Sequence, residues 1–341
     1  MLCNCLIANI IGFLMFFSII MFVFFDGMDL GIGILSPFMK NKEQRGLAMA
    51  SVHPFWDVNE TWIIMAAIFL VLGFTNAYGI FITTFYIPVI LLLGLAAFRG
   101  CSFEFRSKDE KYFKPWDIAF FVSSFGMALV FGVFIGNLVN GLNIGDDMLY
   151  KGTFWQLFNP IALASGVLNV LGFALIGAAW VCLKTPNDTS DFARKAIKTI
   201  IKLIIPVSII LAALVFSKSE LRERIFGGYR ICLLSVMMIA SYCVLGYMHK
   251  LASSSKGNEV KMLFCAYGFA LYGAIALLSI TYPYVVPYKY TMHDLLRFKS
   301  DTHGMENISI FTIILLIITL GFFFKNYRVF KGKFTKDDIH Y

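Results

Sequence analysis

The sequence predicts an all-α polytopic membrane protein with about nine transmembrane helices. Of its 341 residues, 59% are hydrophobic and only 15% are charged, whereas soluble domains carry about 25% charged residues. The apolar residues form continuous blocks of about 20 residues, the length that a helix needs to cross a bilayer. Because these blocks do not alternate with a period of two, they indicate helices rather than a β-barrel.

Nine apolar blocks define the predicted spans, and residues 1–341 are predicted to form a single integral membrane domain. In order, the spans cover about 5–25, 54–75, 78–100, 115–139, 158–183, 196–217, 226–249, 259–283 and 308–325. No Lys or Arg precedes the first block and no small-residue cleavage site follows it, so we interpret it as a span rather than a signal peptide. The hydrophilic segments are too short for a nucleotide-binding domain, which excludes an ATP-driven machine within this chain.

Basic residues are distributed unevenly between the two sides of these spans. Of the 29 Lys and Arg residues, 21 fall in 36–51, 99–114, 184–202, 250–261 and the C-terminal tail. The positive-inside rule therefore predicts that this side is cytoplasmic, with the N-terminus outside and the C-terminus in the cytoplasm. The net charge of +8 is then a topology signal, and no nucleic acid partner is predicted.

Carboxylates gather near the predicted cytoplasmic side. Asp26 and Asp29 follow the first span, Asp57 and Glu60 open the second, and Glu104 follows the third. The members of each of the first two pairs are three residues apart, so they share a helix face. A charged residue at the membrane centre costs about 2.5–3.5 kcal/mol, so these side chains should face the protein interior or a wet cavity.

Two interpretations of these acids stay open. In the first, neighbouring buried carboxylates hold and exchange protons, and so form a path for protons from the cytoplasm. In the second, the acids are solvated at the interface or paired with Arg99 or Arg106 in static bridges. The second applies especially to Asp26, Glu60 and Asp117.

Glycine spacing predicts close helix packing. Gly27 and Gly31 form a G-x-x-x-G pattern, as do Gly132 and Gly136, and small residues at this spacing let membrane helices approach closely. We expect the first pair to let the first three spans close around the acids. Other residue types give no metal site, since the seven cysteines lack a C-x-x-C pair and the histidines lie outside the span interiors.

Several motifs occur in order along nearly the whole chain: FDGMDLGIG, WDVNETW, FRGCSFEFRSK, KPWDIAFFVSSF, GTFWQLFNPIALASGV, YPYVVP and FTKDDIHY. By these motifs the chain resembles subunit II of the cytochrome bd quinol oxidases. The first two motifs are specific in combination, whereas residues 185–280 match only in hydrophobicity.

The resemblance implies a fold of two four-helix bundles plus one peripheral helix. It implies a complex of the bacterial inner membrane that oxidises quinol at the outer side and reduces oxygen to water. Protons for water come from the cytoplasm, so the complex contributes to the proton-motive force.

The resemblance also implies an obligate heterodimer with the haem-bearing subunit I. The haems belong to that partner, and this chain has no catalytic residue and no metal ligand of its own. A small accessory subunit and a structural quinone stay open, and the sequence shows no site for either.

Residue roles follow from the positions that match the family's motifs. Asp29, Asp57 and Glu104 are implied to form the proton path. The family often has Asp where this chain has Glu104. Some members have His directly before the motif tryptophan, where this chain has Phe55. His53 lies two residues earlier, so it has no assigned role. The remaining motif residues are assigned to the motif and helix packing: Asp26, Gly27, Gly31, Trp56, Asn59, Glu60, Trp62 and Arg99.

Two other functions compete with this one. A proton-coupled secondary transporter would use the same acids, but it should show related halves with discontinuous helices and a midplane site. A purely structural assembly partner would hold all its acids at the interface.

Overall fold

The computed structural model describes residues 2–108, 113–226, 228–254, 257–295, 302–329 and 332–334. These residues form twelve α-helices and one short β-hairpin. The helices are α1 (Leu2–Leu35), α2 (Lys42–Ala50), α3 (Trp56–Gly73), α4 (Thr75–Thr84), α5 (Tyr86–Lys108), α6 (Phe113–Asn140), α7 (Pro160–Lys184), α8 (Asn187–Ser217), α9 (Ser219–Phe226), α10 (Arg230–Ser253), α11 (Glu259–Thr281) and α12 (Thr302–Val329). The antiparallel hairpin consists of β1 (Tyr284–Val286) and β2 (Tyr290–Thr291).

Eight helices of the described chain are long and apolar enough to cross a membrane: α1, α3, α5, α6, α7, α8, α10 and α11. They confirm the predicted all-α polytopic class. The ninth predicted span, 308–325, lies within α12, whose apolar stretch Ile313–Phe322 is shorter than the other eight.

In chain order we divide the spanning helices into a first bundle, α1, α3, α5 and α6, and a second bundle, α7, α8, α10 and α11. Helix α7 packs as extensively against α6 and α1 as against α8, so the two-bundle arrangement stays a prediction. The groups meet where α7 packs against α1 and α6, and where α11 reaches the same two helices. Helix α12 packs at the edge of the first group, against α1 and α3.

The closest approach between the two groups depends on glycine. A Cβ atom on Gly31 would lie 2.0 Å from the carbonyl oxygen of Phe173, and one on Gly177 would lie 2.6 Å from the Gly31 Cα atom. A Cβ atom on Gly27 would lie 3.0 Å from Cδ1 of the Phe173 ring. These glycines therefore admit α7, so the expectation that they close the first three spans around the acids was wrong.

The second glycine pair also serves α7. A Cβ atom on Gly132 would lie 2.6 Å from the Gly166 Cα atom, and one on Gly136 would lie 2.4 Å from the Ala162 Cα atom. Both G-x-x-x-G patterns thus bring a first-bundle helix against α7, and the prediction of close helix packing is confirmed.

Several predicted span boundaries were wrong. Helix α1 continues ten residues beyond the predicted end at 25, so Asp26 and Asp29 lie inside the helix rather than at its end. The predicted span 78–100 is divided at Phe85, just before Pro88, into α4 and α5. Helix α8 begins at 187 rather than 196, because its charged first turns continue the helix beyond the apolar stretch.

The turn of the hairpin packs against the end of α6 and against α9. The Tyr288 hydroxyl donates to the Val139 carbonyl oxygen at 2.7 Å, and the Arg224 guanidinium lies 3.9 Å from the Tyr288 ring centroid. Burial raises the pKa of Tyr288 to about 12, so the hydroxyl keeps its proton at neutral pH. Lys289 Nζ donates to the Ile144 carbonyl oxygen at 2.6 Å, which fixes the neighbouring loop.

Replacing Gly31 with alanine should destabilise the protein by about 1–3 kcal/mol, because the added methyl overlaps the α7 backbone rather than a movable side chain. Gly273→Ala is the matched control, since a Cβ atom there has no neighbour within 4 Å. The measurement is the Tm of the purified protein in detergent, followed by size-exclusion chromatography. Equal Tm values for the two variants would contradict a glycine-dependent α1–α7 crossing.

Candidate functional site

Five polar side chains from three helices meet inside the first bundle. Asp26 and Asp29 come from α1, Asn59 and Glu60 from α3, and Arg99 from α5. Asp26 and Asp29 share one face of α1 because they are three residues apart, and that face lies opposite the glycines that contact α7. We call these five residues the buried carboxylate cluster.

Arg99 holds Asp26 through both ends of its guanidinium. Its Nη1 donates to Asp26 Oδ2 at 2.8 Å, and its Nη2 lies 2.8 Å from Asp26 Oδ1. Both side chains are fully buried. The first contact is a charge-assisted hydrogen bond and the second is an ion pair by distance, and together they hold α1 against α5. The same Nη2 also lies 3.3 Å from Glu60 Oε1, so α3 is joined to the same guanidinium.

Asp29 is buried and has no ion-pair partner among the described residues, although Arg99 interacts with it electrostatically. Asn59 Nδ2 donates to Asp29 Oδ2 at 3.1 Å and lies 3.2 Å from the Phe25 carbonyl oxygen. Asp29 Oδ1 has no hydrogen-bond partner within the described part of the chain, and neither has Asn59 Oδ1. The cluster contains one guanidinium, that of Arg99, and three carboxyl groups, those of Asp26, Asp29 and Glu60. Its formal charge is therefore −2 when all three carboxyl groups are ionised. Binding of a proton by the cluster would reduce this charge.

The other two predicted path residues lie on the surface of the chain. Asp57 is exposed in the first turn of α3. The Glu104 side chain is 49% exposed near the end of α5, and its Oε1 lies 3.8 Å from His53 Nε2. The structure therefore brings Asp29 into the cluster but places Asp57 and Glu104 outside it.

Aromatic side chains surround the cluster. Trp62 is fully buried, with its ring 6.1 Å from Phe17 and 6.3 Å from Phe25 on α1. Trp56 stacks on Phe103 at 5.6 Å. These contacts keep α3 close to α1 and α5 around the polar residues.

A second set of ion pairs lies near the same end of the bundle. Asp117 on α6 binds Arg45 Nε at 3.0 Å and also receives a hydrogen bond from Arg106 Nε. The pairing of Asp117 agrees with the static-bridge interpretation. Arg45 was not predicted as a site residue. The available signal was Asn41, whose side chain accepts a hydrogen bond from the Gln44 backbone N–H and caps α2, the helix that carries Arg45.

Comparison with known proteins supports one family. The family model described as "Cytochrome bd terminal oxidase subunit II" matches residues 7–330. The chain is 35% identical over 170 residues to cytochrome bd-I ubiquinol oxidase subunit 2 of Escherichia coli (strain K12), covering 48% of this chain and 45% of that protein. The matched region is thus about half of that relative's length. The chain is 26% identical over 317 residues to cytochrome bd ubiquinol oxidase subunit 2 of Bacillus subtilis (strain 168), covering 92% of each.

The fold is also similar to a solved structure. The structure of bd oxidase from Geobacillus thermodenitrificans aligns with a TM-score of 0.70 and 17% identity, covering 97% of this chain and 100% of that one. At this identity the likeness concerns the fold alone. The comparisons do not favour the transporter alternative.

Replacing Arg99 with glutamine should destabilise the protein by about 3–5 kcal/mol, because it leaves Asp26 buried without its counter-charge. The Asp26→Asn/Arg99→Gln double variant should recover part of this loss, because it removes both charges. The control is Arg222→Gln, which changes an exposed arginine on α9. The Tm values of the wild type, Asp26→Asn, Arg99→Gln and the double variant complete the cycle. Additive effects of the two substitutions would show that the pair is not coupled.

Proposed function

Because the chain belongs to the cytochrome bd terminal oxidase subunit II family, we propose that it is subunit II of a bd-type quinol oxidase. The complex oxidises quinol and reduces oxygen to water. Each electron that reaches oxygen requires one proton, so the complex needs a proton supply as well as an electron supply. The chain is an integral inner membrane protein, and its basic end faces the cytoplasm in this proposal.

The partner in this proposal is the haem-bearing subunit I, with which the chain forms an obligate heterodimer. Haem in a membrane protein is held by axial ligands, most often histidine. The described histidine side chains of this chain lie at or beyond helix ends: His53 before α3, His249 near the end of α10, and His293 after the hairpin. This placement supports a partner that carries the haems. A structural quinone stays a prediction without an assigned site.

This chain supplies protons from the cytoplasm through Asp29, Asp57 and Glu104. The observation that carries this part of the proposal is the unequal charge of the buried cluster, in which Asp29 has an amide partner but, among the described residues, no ion-pair partner. Asp57 and Glu104 are exposed near the same end and collect protons from water. Asn59 holds the Asp29 carboxyl in place while leaving its second oxygen available to accept a proton.

Asp26 has the opposite role. Its two contacts with Arg99 neutralise its charge and tie α1 to α5, so it holds the structure around Asp29. The two acids of one motif therefore differ in function because only one of them has a guanidinium partner.

Asp29→Asn tests this assignment, because asparagine keeps the size of the side chain and removes its exchangeable proton. We expect quinol-driven oxygen consumption by the purified complex to fall by at least about tenfold, in the range of lost proton-transfer groups. The reduced-minus-oxidised haem spectrum should not change.

Asp26→Asn is the matched comparison, from the same face of the same helix. It should lower the Tm and the yield of haem-containing complex, because it leaves the buried Arg99 without its ion-pair partner. Wild-type turnover in Asp29→Asn would refute the proton path through this residue. Loss of haem from Asp29→Asn would instead assign Asp29 to assembly.

A further inference from the structure

Glu60 on α3 connects two kinds of acid: the exposed Asp57 on the same helix and the buried Asp26 and Asp29 on α1. It follows the exposed Asp57 by three residues, so the two carboxyl groups share a face of α3, and they interact electrostatically. The Glu60 side chain is 22% exposed, whereas Asp26, Asp29 and Arg99 are fully buried. Glu60 is therefore the member of the cluster that reaches the surface of the chain.

The inward side of Glu60 faces the rest of the cluster. Its Oε1 lies 3.3 Å from Arg99 Nη2, and its charge interacts with those of Asp26 and Asp29. Arg99 uses both Nη atoms on Asp26 at 2.8 Å, so Glu60 shares one of them at a longer distance. Asp26 is thus firmly held, and Glu60 is the more weakly bound of the two carboxylates.

Several buried polar atoms in and beside this cluster have no hydrogen-bond partner within the residues that the structure describes. They are Asp26 Oδ1, Asp29 Oδ1, Asn59 Oδ1, Trp62 Nε1 and Arg99 Nε and Nη2. Asn59 and Trp62 are three residues apart on the face of α3 that packs on α1. Buried polar atoms normally have partners, so these atoms still have hydrogen-bonding capacity that water can use in passing a proton.

We propose that Glu60, which the motif alone assigns to helix packing, transfers protons from Asp57 to Asp29. This inference rests on the proposed function. Asp57 takes a proton from water and passes it to the Glu60 carboxylate, which then gives it to the Asp29 carboxylate and returns to its ionised form. Arg99 keeps its charge throughout and stabilises Glu60 whenever it is ionised. No proton or charge is gained or lost by Glu60 over one transfer.

The test compares Glu60→Gln with Glu60→Asp in the complete haem-containing complex. Glutamine can still accept a hydrogen bond from Arg99 but cannot carry a proton, whereas aspartate can do both. We expect Glu60→Gln to slow quinol-driven oxygen consumption by at least about tenfold and to increase its solvent deuterium isotope effect. Glu60→Asp should recover most of the activity. Asp191→Asn, an exposed acid on α8, is the control and should behave as wild type.

The outcomes separate this inference from the proposed function. Slow turnover with a larger isotope effect, an intact haem spectrum and rescue by aspartate supports Glu60 as a proton carrier. Wild-type turnover in Glu60→Gln overturns it, and so does loss of haem in Glu60→Gln, which would make Glu60 a packing residue. If the wild-type complex itself shows no quinol oxidase activity, the proposed function fails first, and this inference fails with it.

Discussion

The structure of the first bundle depends on one buried guanidinium. Arg99 lies on α5 and contacts acids on both α1 and α3, so a single cation joins three helices. In a bilayer, such a charge is tolerated only when it is paired and faces the protein interior. Arg99 contacts both oxygens of Asp26 and one oxygen of Glu60, whereas the described partner of Asp29 is the Asn59 amide. In the proposed function, this unequal sharing is what separates Asp26, which holds the structure, from Asp29, which exchanges protons.

Glycine provides the complementary constraint on the other side of α1. The Gly31–Gly177 crossing lets α7 approach on the face opposite Asp26 and Asp29. Helix α1 therefore makes two unlike contacts: a backbone-close apolar contact with the second bundle and a polar contact with α3 and α5. This division keeps the polar residues away from the interface between the bundles and near the surface face of α3, where Asp57 is exposed.

The sequence predicted the fold class, most spans and the close helix packing at the two G-x-x-x-G patterns, because apolar block length and glycine spacing are local properties. It could not predict that α1 continues past Asp29, because the contacts of Asp26 and Asp29 come from residues 30 to 73 positions away in sequence. For the same reason it assigned Gly27 and Gly31 to the wrong neighbours. The pairing of Arg45 with Asp117 was equally hidden, since α2 has too few residues to give a clear periodic signal.

In the proposed function, this chain acts only as part of a haem-containing quinol oxidase. The most direct measurement is affinity purification of the tagged chain from its native membrane, followed by a reduced-minus-oxidised spectrum and a quinol-driven oxygen consumption assay. The account predicts a stoichiometric haem-bearing partner, b- and d-type absorbance, and oxygen consumption that follows the purified complex. A chain that purifies alone, without colour and without oxidase activity, would contradict it.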